Sequence, residues 1–338
     1  MGTYAGIDLH STSSYVVVLD EEDRRLYGKK LENSIDVIEQ SLLPYKEDLQ
    51  GVAVESTYNW YWLVDGLQDR GYPVCLANPS AMKQYEGMKH TDDKWDSYWL
   101  AHMLRLGILP TGYIYPKEER PTRDLLRRRL LLVRQRTTQI LSLQGMMERN
   151  CGKKLPGHRI KELSREELDE WFEYSHLRMA AGSSLTMIRC FGEEISRIEK
   201  EVLSTVRLRD EYENLLTVPG IGKVLGLTIM LETGDIGRFK NVGNYSSYCR
   251  CVKAERWSSD KKKGEGNSKN GNKYLSWAYV EAAHFASRYC ERARRFCQRK
   301  KSQKNYCVAI KALANKLARA SYYVMRDGVP FDESRLFG

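Results

Sequence analysis

YAGIDLHSTSSYVVVLD (residues 4–20) is the stretch whose reading decides the fold. It opens with a short apolar run, YAGIDL, that closes around Asp8, and continues with the β-branched run SYVVVLD, which ends on Asp20. Apolar and β-branched runs of this length between polar turns read as strands. EEDRR (21–25) makes a turn and RLYGKKL (25–31) resumes a strand. Working outward, SIDVIEQSLLPY (34–45) has helical apolar spacing behind a Ser34 N-cap, and GVAVES (51–56) is a buried strand ending at Glu55. NWYWLVDGLQDRG (59–71) is a helix closed by Gly71, and YPVCLANP (72–79) is the next strand. Three opening strands followed by alternation of helix and strand predict an α/β domain with a mixed sheet. A further helix begins near Thr91.

The chain has 338 residues, enough for about two domains. A hydrophobic fraction of 42% with seven Trp excludes a mainly disordered chain. No run of about 18 apolar residues occurs and the N-terminus lacks a signal-like apolar stretch, so a cytoplasmic protein that is neither membrane-spanning nor secreted is expected, with no membrane partner. Eight Cys with no CxxC, and a single CxC at Cys249 and Cys251, fit a reducing compartment better than a disulfide framework or zinc site. The net charge of +10 hides a split. Residues 1–116 hold 10 basic and 17 acidic side chains, a balance of −7, while residues 117–338 hold 44 and 27, a balance of +17. That asymmetry points to a polyanionic partner for the basic part.

Domain boundaries follow from composition. The Pro- and Gly-rich ILPTGYIYPKEERP (108–121) reads as a linker after a first domain, 1–116. A helical connector spans 117–206: a long helix from Pro121 to about Asn150, a break at CGKKLPG (151–157), then helical stretches near 164–174 and 184–206. Long charged helices of this kind form a hairpin or a coiled coil suited to dimerisation. The third part, 207–338, is mainly helical apart from the polar KKKGEGNSKNGN (261–272).

Four carboxylates carry the chemistry. Asp8 and Glu55 end strands, and adjacent strand ends of an open α/β sheet meet at the ligand-binding edge. Asp93 and Asp96, in TDDKWD (91–96), are three apart and share a helical face. Asp92 is the alternative to Asp93. Such a cluster repels itself unless a cation occupies it, and oxygen ligands favour Mg²⁺, with Mn²⁺ possible. Singly, each residue has a plainer role as a strand end, a cap or a first-turn acid. The opening also resembles the first phosphate loop of actin-like ATPases, but ETGDIGRF (232–239), the nearest second loop, lacks the preceding apolar strand.

Three basic elements complete the inventory. RDLLRRRLLLVRQR (123–136) sets Arg123, Arg127, Arg128, Arg129, Arg134 and Arg136 around an apolar side, and arginine forks suit phosphates. Lys261, Lys262, Lys263, Lys269 and Lys273 lie among Gly and Asn, a backbone suited to tracking phosphates. Ser258 and Ser259, beside those cations, are candidate nucleophiles on phosphorus. LLTVPGIGKVLG (215–226) has the look of a helix-hairpin-helix turn, or of a tight turn between packed helices.

Together these motifs resemble the DEDD transposases of insertion-sequence family one hundred and ten, which include Piv-type invertases and bridge-RNA-guided recombinases. GIDLH, VAVEST, HTDDKWDSYWLAHMLRLGILPTGYIYP and RDLLRRRLLLVRQR match one half of the pattern; VPGIG, TGDIGRF, YCRC and GEGNSKNGNKYL match the other. The resemblance implies an RNase H-like (RuvC-like) domain whose Asp8, Glu55, Asp93 and Asp96 bind Mg²⁺, followed by a transposase domain whose serine attacks DNA. Ser258 occupies the serine's place, with Ser259 second. It further implies a homodimer or tetramer with a composite site, a covalent phosphoserine, target and donor double-stranded DNA, and a noncoding bridge RNA that selects them. The sequence departs from the family at Asp260, where Gly is usual, and at Ser97, where Ala usually follows DxxD. The alternatives are a junction resolvase that uses water and a non-catalytic RNA-binding protein.

Overall fold

A computed structural model describes residues 2–82, 92–205, 209–253, 255–265 and 270–337. The chain forms two compact units that divide after Lys117. In the first, strands β1 (Thr3–Leu9), β2 (Ser13–Leu19), β3 (Arg25–Glu32), β4 (Leu49–Glu55) and β5 (Val74–Ala77) make one mixed sheet in the order β3-β2-β1-β4-β5. The hairpin pairs β1–β2 and β2–β3 are antiparallel, whereas β1–β4 and β4–β5 are parallel. Helices α1 (Ile35–Leu42) and α2 (Tyr61–Asp69) supply the crossovers that parallel pairing requires.

The central strands are apolar on both faces because both are covered. Ile7, Val16, Val18, Val52 and Val54 pack with Ile38, Leu63 and Leu67 of α1 and α2. Val17, Leu19 and Ala53 face the other way, toward Leu100 and Ala101 of α3 (Asp93–Arg105). Helix α3 lies directly on β1 at Gly6, where an added Cβ would stand 2.0 Å from the carbonyl oxygen of Ser97 and 2.7 Å from the Ala101 nitrogen. Only glycine admits that approach.

The second unit joins the expected connector and the C-terminal part in one compact body. Helix α4 (Arg120–Cys151) runs antiparallel to α7 (Ser175–Thr205), with α5 (Gly157–Glu162) and α6 (Arg165–Asp169) between them in sequence. Ile140, Leu143 and Met147 of α4 meet Ala181, Leu185 and Ile188 of α7, so the two long helices form an intrachain hairpin. Leu126 and Leu132, nearer the start of α4, belong instead to the C-terminal core with Ile198 and Val202. That core surrounds α9 (Lys223–Thr233), which is buried along nearly its whole length. Around it stand α8 (Asp210–Leu216), α10 (Val242–Tyr248), α11 (Lys273–Tyr289), α12 (Glu291–Gln303) and α13 (Tyr306–Asp327). Strands β6 (Glu255–Ser258) and β7 (Lys261–Glu265) make a separate hairpin, and α14 (Glu333–Phe337) ends the chain. Among the described residues no helix is long and apolar enough to cross a membrane, and all eight cysteines are free thiols.

Candidate active site

Parallel pairing of β1 with β4 puts their C-terminal ends at one edge, so Asp8 and Glu55 are neighbours. Asp8 is buried. Glu55 is hydrogen-bonded to it, and the Glu55 carboxyl is pushed up to about 7, first by burial and then by the charges of Asp8 and Asp96. Helix α3, pressed onto β1 at Gly6, delivers its first turn to the same edge. Asp96 is likewise raised, by burial and by Asp8 and Asp93. Asp93 is lowered: its burial is outweighed by His10 and Lys30, whose Nζ is 3.4 Å away. Asp92 is engaged otherwise, as the N-cap of α3, its side chain accepting from the Trp95 amide at 2.9 Å. Thr91 lies outside the described residues.

The sequence reading missed His10. Its Nε2 is 3.0 Å from Asp8 Oδ2 and 3.1 Å from Asp93 Oδ1, and the three side chains form a possible cation-binding group. The signal was available in GIDLH, because residues i and i+2 of extended backbone project to one side. The His10 carbonyl accepts from the side-chain amides of Asn33 at 2.9 Å and Asn59 at 3.1 Å, which pins the turn after β1. Asp8 Oδ2 is buried, with His10 Nε2 at 3.0 Å as its polar neighbour, and a hard cation would add oxygen ligation to this pair. Carboxylate oxygens suit hard cations such as Mg²⁺ or Mn²⁺.

In the second unit, Ser258 is exposed at the end of β6 and pairs with Lys261 across the hairpin. The two-residue turn between them, Ser259 and Asp260, has φ of 51° and 57°. Exposed Lys261, Lys262 and Lys263 line β7, and exposed Lys273 starts α11 with its Nζ 5.2 Å from the Tyr274 ring centre. Lys269 lies outside the described residues.

Comparison with known proteins identifies the family of the chain. Residues 5–151 match the DEDD family model of IS110 type, described as a transposase. Residues 212–298 match the model described as the transposase IS116/IS110/IS902 family. The chain belongs to the IS110 family of transposases. A probable family 20 transposase of Pseudomonas aeruginosa is 23% identical over 277 residues, 79% of this chain and 81% of that protein. The transposase for insertion sequence element IS1111A of Coxiella burnetii is 22% identical over 234 residues, covering 68% and 63%. The transposase for IS1328 of Yersinia enterocolitica is 26% identical over 145 residues, covering 42% and 43%.

Ser97 and Asp260, the two positions set apart in the sequence of this IS110-family chain, each have a local setting that accommodates them. Ser97 is buried where α3 crosses the sheet, and its hydroxyl reaches the carbonyls of Tyr15 at 2.9 Å and Asp93 at 2.7 Å. A serine there is therefore satisfied by backbone carbonyl acceptors. At Asp260 the left-handed backbone is the conformation of a type I′ hairpin turn, which glycine adopts without strain. Asp tolerates it at a modest cost.

The arginine helix of the transposase divides differently from its sequence pattern. Arg123 is buried. Arg127 grips the buried Glu232 with two bonds of 2.5 and 2.7 Å, and this pair holds the guanidinium above its usual pKa although burial opposes it. Glu232 also accepts from Asn272, whose other amide atom caps α11. Arg129 is bound to Glu199 of α7. Arg123 is thus buried in the unit, and the charges of Arg127 and Arg129 are met by Glu232 and Glu199. Arg136 is half-buried, its pKa lowered by burial and by Arg129. Arg128 and Arg134 are exposed. Gly220 of the VPGIG turn, with φ of +83°, abuts the backbone of α11, where a Cβ would meet the Ala282 oxygen at 2.1 Å. Its role is helix packing, the plainer of the two readings of that motif.

Proposed function

We propose that this transposase is an RNA-guided DNA recombinase that cleaves and exchanges strands through a covalent phosphoserine. In this reading the first unit is an RNase H-like (RuvC-like) domain whose Asp8, Glu55, Asp93 and Asp96 hold Mg²⁺ or Mn²⁺. The observation that carries it is the convergence of acidic side chains from β1, β4 and α3 on the buried Asp8, beside His10. A cation bound there supplies Lewis-acid polarisation of a phosphoryl oxygen.

The chain's own residues do the rest. Asp8 anchors the site from the buried strand end, Glu55 gives up its proton when the site fills, and α3 presents Asp93 and Asp96. His10 and Lys30 hold Asp93 when the site is metal-free. Ser258, on an exposed hairpin bordered by lysines, is the nucleophile. Its Oγ forms a bond to phosphorus as the bond from phosphorus to the 3′ oxygen breaks, and the hydroxyl proton ends on that 3′ oxygen. A 3′-OH from another strand reverses the step and releases the serine. Carboxylates of one subunit act with the serine of another in a homodimer or tetramer, and a noncoding RNA pairs with target and donor DNA. The location is the prokaryotic cytoplasm.

The test is a denaturing gel of full-length protein incubated with labelled target and donor DNA and RNA that copurifies with it. Wild type gives a protein–DNA adduct; Ser258→Ala gives none, and Asp8→Ala abolishes strand exchange. Cleavage without any adduct in wild type refutes the serine step and assigns the attack to water.

A further inference from the structure

Residues 288–304 contain eight basic side chains and one acidic one, Glu291, and take no part in the site above. We propose that the elbow between α11 and α12 is a docking surface for unpaired RNA, with phosphates on the outward arginines and lysines of α12 and bases stacked on Phe285 and Tyr289. The proposal rests on the reading that this chain handles RNA.

Packing fixes which way the charges point. Ala293, Phe296 and Cys297 face the core, so Arg292, Arg295 and Arg299, at i, i+3 and i+7, form one row on the outer side, all exposed. Lys301 is exposed too, and has no acidic partner among the described residues. Arg295 pairs with Glu291, but both are more than two-thirds exposed, and such a pair yields readily to a phosphate. Arg294 does a different job: its guanidinium donates to the carbonyls of Ser287 and Arg288 and so holds the elbow.

At the end of α11, just before α12 in the chain, Phe285 is 43% exposed and Tyr289 75% exposed. Their rings are aligned, with centroids 6.5 Å apart and planes 13° from parallel. Two large parallel rings left in water just before a cation-rich helix match what a strand with free base faces requires. A duplex hides those faces within its stack. RNA offers them in loops and bulges, where recognition uses stacking on aromatic rings, and a displaced DNA strand is the competitor that a DNA stem-loop tests.

The experiment measures anisotropy of a fluorescein-labelled RNA stem-loop with full-length protein across a salt series. Fully paired RNA and a DNA stem-loop of the same sequence are run in parallel. Replacing both rings (Phe285→Ala with Tyr289→Ala) should weaken stem-loop RNA by about 5- to 150-fold and leave paired RNA nearly unchanged. Arg295→Gln, Arg299→Gln and Lys301→Gln together should make the log–log salt slope shallower by about 2, at roughly 0.7 for each phosphate that the variant no longer neutralises. Thermal melts identical to wild type establish that each variant is folded. Affinity and slope unchanged in both variants overturn the proposal. So does an equal loss on paired RNA, or a DNA stem-loop bound as tightly and weakened in the same way. If wild type binds none of the RNAs, RNA handling itself fails; if it binds them and the variants match it, only this surface is refuted.

Discussion

Substituting Gly6 tests whether the contact between α3 and β1 builds the candidate metal centre. In Gly6→Ala the new Cβ meets the Ser97 carbonyl oxygen at 2.0 Å, against about 3.4 Å for ordinary contact. The helix must therefore retreat by roughly 1.4 Å, and both close neighbours, Ser97 O and Ala101 N, are backbone atoms that cannot rotate aside. Overpacking costs about 1–3 kcal/mol, and the upper end is expected here. Because the same helix carries Asp93 and Asp96, the retreat pulls two carboxylates from Asp8, and Mn²⁺ affinity should fall by about 10- to 100-fold. Urea unfolding measures the first effect and calorimetric titration with MnCl₂ the second. Gly145→Ala is the control: it lies within α4, its Cβ would meet nothing within 4 Å, and it should gain about 0.5–1 kcal/mol with Mn²⁺ binding intact. Wild-type Mn²⁺ affinity in Gly6→Ala would refute the reasoning.

Two further predictions concern charge. Burial, then Asp8 and Asp96, lift Glu55 from 4.5 to about 7, so the folded metal-free protein keeps a proton that the unfolded chain releases. Its contribution to stability is full below about pH 4.5, declines as pH rises through about 7 and is level above that, while Mn²⁺ binding tightens over the same range with proton release. Thermal melts from pH 5 to 8 check this, and Glu55→Gln showing the same slope as wild type would contradict it. Glu232→Ala removes the two-bond partner of Arg127, which keeps Asp124 at 3.6 Å, and the acceptor of Asn272, and should cost about 3 kcal/mol in urea unfolding; a loss below about 1 kcal/mol would show that the pair is dispensable.

The sheet was legible because its signals are local. Strand 14–20 is β-branched, the strand at 51–56 is apolar through its length, and the intervening helix has a clear apolar period. Of the carboxylates, Asp93 and Asp96 were legible from a three-residue spacing and Asp8 and Glu55 from their strand-end positions. His10 was overlooked although GIDLH sets it two residues after Asp8; its contact with Asp93 depends on the approach of α3 and has no local signal. The arginine helix misled for a comparable reason. Glu232 and Glu199, which hold Arg127 and Arg129, lie 105 and 70 residues further along the chain, and no pattern within 123–136 reveals them.

By itself the sequence determined the elements, the division between an acidic first part and a basic remainder, and the motifs that mark an IS110-family chain. Hydrophobic period, turn chemistry and charge are properties of short segments, and they are present before the chain folds. Tertiary structure alone decided which charges serve the interior and which meet solvent, why Gly6 and Gly220 are glycines, and that Asp92 caps a helix while Asp93 joins Asp8 and His10. Those outcomes depend on which distant backbone comes to lie within a few ångströms. Only packing sets that distance.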